Sequence, residues 1–280
     1  MANISDSLCS PKSNRRKGCL PLPELKSITN VLPEKDIKFC KSKHPVSSKD
    51  SQNLCLLQKA VETNNNAGDF RDLLNKHFKP KSPQSWKQKP NTWLSNFDIE
   101  KVLEQYKTKK NVFLGVSAID FENACGYFGF NHCSFKPEMS KKYFMVINLS
   151  KHDESGTHWV ALTMDTHINS LNYGAMYFDS YGSRPTSEIK NFVKRCHSDL
   201  QSIMKTKKYS KSLINKDFPL NYNRIQMQTS NSECGIYCLS YIHLFLNCKK
   251  GEDYHILCDK LRSVFPKIDK INERGKFFIL

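Results

Sequence analysis

The sequence predicts an α+β fold: a central sheet containing antiparallel strands, packed against helices, with a small helical arm domain ahead of it. Three observations lead there. Strand-like runs at 143–149, 158–165 and 175–181 follow one another with short connections, the pattern of an antiparallel sheet. Residues 187–205 are amphipathic, with Ile189, Phe192, Val193, Cys196, Leu200, Ile203 and Met204 on one face. Residues 235–247 are apolar nearly all round, which marks a buried helix.

Taken in order, residues 1–45 are rich in Ser, Lys, Asn and Pro and read as an irregular arm, with a short basic cluster at Arg15-Arg16-Lys17. Leu54, Leu57 and Val61 recur at helical spacing, and Phe70, Leu73 and Leu74 share one face of a second helix over 69–77. A stretch with Pro80, Pro83 and Pro90 then reads as a strap. The expected division is an arm at 1–90 and a core domain at 91–280. Residues 93–107 form the first core helix, with Ser95-x-x-Asp98 as a capping box and Ile99, Val102, Leu103 and Tyr106 as the buried stripe. Residues 111–134 read as a covering loop, and Cys125, His132 and Cys133 there lack the fourth ligand and the pairing of a zinc site. Residues 223–228 read as a short strand, and a last helix runs over 253–265 through Ile256, Leu257 and Leu261.

The chemistry gathers around Gln228-Thr-Ser-Asn-Ser-Glu-Cys234-Gly235. A cysteine on the first turn of a helix meets unpaired N–H groups and the positive end of the dipole, so its thiolate is stabilised. The Gln228 amide and the Cys234 N–H can serve as two donors to one oxyanion. His158, in Gly156-Thr-His158-Trp159, supplies a base, and Asp179 on the neighbouring strand can orient it. Asp165 ends the His158 strand about 20 Å along an extended chain, too far to serve. Cys238 lies one turn inside the buried helix and reads as core, as does Cys196; His197 reads as surface. His152, His167, His243 and His255 have no partner visible in the sequence. Cys234, Cys238, His243 and Cys248 rotate off one helical face, so they do not converge on a metal.

The order His158, Asp179, Gln228-x5-Cys234-Gly235, with Trp159 directly after the histidine, resembles the SUMO-protease/adenovirus-protease class of cysteine peptidases. Trp93-Leu94 resembles the element before the first helix of that core. Within the class, Phe78-Lys-Pro, residues 94–99, the His158 stretch and residues 228–235 are similar to the polyprotein-processing proteases of African swine fever virus and related large DNA viruses. There the third position resembles Asn, so Asp179 is a departure toward the cellular pattern. The resemblance implies a papain-like, SUMO-protease-like core without a cofactor. It implies a thiol endopeptidase cutting viral structural polyproteins after Gly-Gly-x during virion maturation, in the host cytoplasm at assembly sites and in the virion. It also implies that Trp93 and Trp159 close a tunnel over a Gly-Gly tail.

Composition bounds the alternatives. The 280 residues, 39% of them hydrophobic, hold one catalytic domain and an appendage. No apolar run is long enough to span a membrane and no signal-peptide pattern is visible, so the expectation is a soluble chain without a membrane partner. Eleven scattered cysteines show no framework and suit free thiols in a reducing compartment. Net charge is +16, and residues 1–90 carry 17 Lys+Arg against 8 Asp+Glu, so nucleic acid is a candidate contact of the arm. The alternatives are a deconjugase for a ubiquitin-like modifier, an acetyltransferase of the same clan (whose acidic position is Glu) and a basic non-enzymatic scaffold. The scaffold leaves the His-Asp-Gln-Cys set to coincidence.

Overall fold

The computed structural model describes residues 8–11, 18–44, 49–64, 67–124, 130–268 and 271–279; Arg15-Arg16-Lys17 and Cys125 lie outside them. The chain divides into two units, Met1–Gln84 with Arg274–Leu280, and Ser85–Glu273. The C-terminal residues join the first unit through backbone bonds: Ile279 N–H donates to Pro80 O and Ser82 N–H to Ile279 O. Lys79 Nζ donates to Gly275 O at 2.8 Å.

Four helices make up the described part of the first unit: α1 (Leu22–Val31), α2 (Glu34–Lys43), α3 (Lys49–Thr63) and α4 (Ala67–His77). The last two fall where the periodicity puts them. The first two occupy the stretch read as irregular, and prolines explain the difference. Pro21 and Pro33 are N-cap residues and Pro23 lies in the first turn of α1. There a missing N–H costs no helical bond, so residues that look like breakers start helices. Ile28, Leu32, Leu57, Ala60, Phe70 and Phe78 form the core. Disulfides Cys9–Cys19 and Cys40–Cys55 cross-link this unit, against the expectation of free thiols. Spacings of 10 and 15 residues match no sequence framework, so only the fold reveals the pairs.

The second unit is built on a five-stranded sheet in the order β1-β2-β3-β4-β5. The strands are β1 (Asn111–Ala118), β2 (Lys142–Asn148), β3 (Trp159–Asp165), β4 (Gly174–Phe178) and β5 (Leu220–Tyr222). The central pairs β2–β3 and β3–β4 are antiparallel, while β1 and β5 add in parallel at the two edges. β1 corrects the loop reading of 111–134. Gly115 adopts φ +91° and the register with β2 shifts between Phe113 and Val116, so the strand lacks the alternation that betrays one. Residues 223–228 form no strand: the Met227 and Gln228 N–H groups both donate to Ser180 O rather than to a ladder.

Helices cover both faces, which is why every residue of β3 is buried. α6 (Ser187–Thr206) lays Ile189, Phe192, Cys196, Leu200 and Met204 on Tyr143, Met145, Val160, Leu162 and Tyr177. On the other face lies α8 (Cys234–Leu246), buried along most of its length: Tyr241 stacks on Phe178 and its hydroxyl bonds Thr163 Oγ1 at 2.8 Å. α5 (Asn96–Glu104) and α9 (Tyr254–Ile268) pack against α8. The capping box forms, with Ser95 Oγ accepting from Asp98 N–H and Asp98 Oδ2 from Ser95 N–H. The lysine-rich residues 205–216 contain one short turn of helix, α7 (Lys211–Ile214). Phe192 is fully buried where α6 meets the sheet. Phe192→Ala should therefore lower the unfolding free energy by about 3–5 kcal/mol, measured by urea denaturation.

Candidate active site

Three ends of secondary structure converge. His158 precedes the first residue of β3, Asp179 follows the last of β4, and Cys234 is the first residue of α8. His158 Nε2 lies 2.7 Å from Asp179 Oδ1, and the ring also hydrogen-bonds the Cys234 thiol. Cys234 is free and 2% exposed, at a helix start whose N–H groups have no intrahelical acceptor. The structure thus brings the three residues together in the order histidine between acid and thiol.

Burial alone lowers the His158 pKa, but hydrogen bonds to Asp179 and Cys234 outweigh it and raise the value to about 9. Burial pushes the Asp179 carboxyl up, yet the bond from His158 and the N–H of Tyr181 hold it below the usual range. Ser183 N–H donates to the second oxygen at 3.2 Å. These donors lie in a turn that needs Gly182. Its φ is +74°, its N–H donates to Asp179 O at 2.8 Å, and a Cβ there would meet the Ile225 backbone at 2.7 Å.

Gln228 is buried, with Oε1 accepting from Ser180 Oγ at 2.7 Å. Its Nε2 donates to Ser230 O at 2.7 Å and makes a long 3.4 Å contact to Tyr181 Oη. Trp159 is buried and its Nε1 donates to Leu94 O at 3.0 Å, while Trp93 is 42% exposed. Gly235 faces the start of α5. A Cβ there would lie 2.9 Å from Leu94 Cδ1, so the glycine lets α8 close onto the start of α5.

Sequence reasoning missed Asn223, Ser180 and Tyr181. Asn223 clamps the Asp179 peptide: Oδ1 accepts from its N–H at 2.9 Å and Nδ2 donates to its carbonyl. Tyr181 stacks on the His158 ring with centroids 4.8 Å apart. Only adjacency to Asp179 could have flagged Ser180 and Tyr181, and nothing local marks Asn223. The rivals have other partners. Asp165 accepts from Ser170 and pairs with His167, His152 pairs with Asp120, and His243 bonds Tyr106. Cys238 is fully buried, which raises its pKa well above the ordinary value, and burial pushes Cys196 to about 12. His197 stacks on Phe218. His132 turns Nε2 to Leu114 O at 2.8 Å, and Cys133 is disulfide-bonded.

The His158 ring should titrate near pH 9 by histidine NMR, and more than about one pH unit lower in Asp179→Asn. The sign for stability follows. The folded pKa exceeds the unfolded one, so this proton's contribution is complete below about pH 6.5 and is lost as pH rises through about 9.

Comparison with known proteins agrees with this geometry. Residues 140–273 match the Ulp1 protease family, C-terminal catalytic domain. The chain is 27% identical over 198 residues to a thiol protease of Acanthamoeba polyphaga mimivirus, covering 69% of this chain and 59% of that protein. It is 25% identical over 262 residues to the SUMO-1 cysteine protease of African swine fever virus, covering 87% and 86%. The protease of ovine adenovirus is 24% identical over 155 residues, covering 55% and 72%. In fold, the chain superposes on the crystal structure of the African swine fever virus protease with a TM-score of 0.61 at 18% identity, covering 98% and 96%. Residues 140–273 thus match the Ulp1 family's catalytic domain, and the chain is similar to viral cysteine proteases along much of its length.

Proposed function

We propose that the chain is a cysteine endopeptidase that cleaves after Gly-Gly(-x) in viral structural polyproteins during particle maturation. The observation that carries this reading is the contact of His158 with both Asp179 and Cys234 at the head of a buried helix. The viral origin of its protease relatives supports the substrate class. On this reading it works at assembly sites in the host cytoplasm and in the virion.

The mechanism follows from the atoms. His158 holds the proton that Cys234 gives up, and the imidazolium–thiolate pair is stabilised by Asp179 and the α8 N-terminus. The thiolate attacks the carbonyl carbon of the scissile bond, and its oxygen takes the negative charge. The Cys234 N–H and Gln228 Nε2 meet that charge. One Nε2 proton is committed to Ser230 O, while the other makes only the long Tyr181 contact and is open to the oxyanion. The intermediate collapses as His158 protonates the leaving amine, leaving a thioester. His158 then takes a proton from water, hydroxide adds, and the second collapse releases the acid and restores the thiolate. Asp179 stays ionised throughout and fixes which ring nitrogen faces the thiol. Trp93 and Trp159 both line the approach to the site, and on this reading the substrate's Gly-Gly lies between that approach and the thiol.

Fluorogenic peptides carrying an internal Gly-Gly-x should be cleaved by the wild type and not by Cys234→Ala. Cleavage of a folded ubiquitin-like modifier alone would favour deconjugation instead, and turnover by Cys234→Ala would falsify the thiol mechanism. Gln228→Ala should lower kcat by about 10²–10³ with a smaller change in KM, in steady-state kinetics on the same peptides.

A further inference from the structure

An open depression of about 700 Å³ lies beside the site, between the start of α5, the end of β1 and the loop from β2 to β3. Gly156 and Trp159 line it and bracket His158 in sequence, so a chain crossing His158 passes into it. Its α5 wall is aromatic and open to solvent, with Trp93 42% and Phe97 65% exposed. Glu100, one turn after Phe97, lines the same depression and is half-buried.

Its charge is unanswered. Among the described residues no cation or N–H donor meets the Glu100 carboxylate, whereas the other acids nearby are engaged. Glu104 pairs with Lys107, Glu154 accepts from Lys151 N–H, and Asp120 pairs with His152. Lys151 stands exposed on the loop side and makes no ion pair with Glu100. In a chain of net charge +16, a half-buried carboxylate left open beside exposed aromatic rings is a site for a cation from outside.

We propose that this depression receives the substrate segment upstream of the scissile bond and selects a lysine or arginine there. The aliphatic stem lies along Trp93 and Phe97, and the charged head meets Glu100. The inference deepens the peptidase reading and rests on it for the direction in which the substrate runs.

The test uses Gly-Gly-x peptides that differ only upstream, carrying Lys, Arg, Leu or Glu. Binding to full-length Cys234→Ala protein is read by fluorescence anisotropy, and cleavage by the active enzyme. Lys and Arg peptides should bind at least about 10-fold tighter than Glu peptides. Adding Glu100→Gln should flatten the order and Glu100→Lys should invert it, each variant being checked for its fold by circular dichroism. Equal affinities, or a Lys preference that survives Glu100→Lys, would overturn the proposal. Lys-selective binding that Glu100→Lys inverts, without cleavage by folded enzyme, would uphold this site and sink the peptidase reading. Cleavage without selectivity would do the reverse.

Discussion

A carboxylate with 1% of its surface exposed carries a charge only where protein donors replace water. Asp179 meets that condition through His158, Tyr181 N–H and Ser183 N–H, while Asn223 fixes its peptide from below. The rest of the site hangs on this arrangement. An ionised Asp179 keeps the His158 proton in place to high pH, and a charged His158 ring faces the thiol. Ser180, the next residue, bonds the Gln228 side chain and accepts its N–H, so Asp179 and Gln228 are positioned by one turn. Disturbing that turn displaces both side chains together.

The sheet makes such a turn possible. β3 and β4 are antiparallel neighbours, so the N-terminal end of one lies beside the C-terminal end of the other, and His158 and Asp179 meet across 21 residues of sequence. Both strands are clamped between α6 and α8. Ten of the thirteen residues of α8 are buried, including every residue of its first two turns. Its first residue is therefore held where the strands end. Gly235 permits the last part of that approach by admitting Leu94.

What the sequence revealed and what it hid follow from locality. The helical faces of 93–107 and 187–205, the capping box and the four motif residues are patterns within a few turns of chain, so they were legible. β1 was not, because Gly115 and the register shift interrupt its alternation. Asn223 was assigned to a strand because its neighbours are extended and its partner, Asp179, lies 44 residues away. α1 and α2 were hidden by prolines whose meaning depends on position within the turn. The disulfides were hidden for a related reason, since a bond between side chains brought together by packing leaves no periodic trace.

The two units differ in how they use cysteine. The disulfides Cys9–Cys19 and Cys40–Cys55 lie in the first unit, while the second holds the five free cysteines beside the disulfide-bonded Cys133. A unit of fewer than a hundred residues has little core to spare, and cross-links compensate by restricting its unfolded chain. The catalytic unit has a sheet covered on both faces and depends less on such staples. Cys234 itself is a free thiol at the start of α8. Cys238, one turn further along α8, shows how narrow the chemical position is: complete burial keeps its proton on. Two thiols on one helix thus differ in environment, because one lies at the uncapped end beside the His158 ring and the other lies within the apolar core.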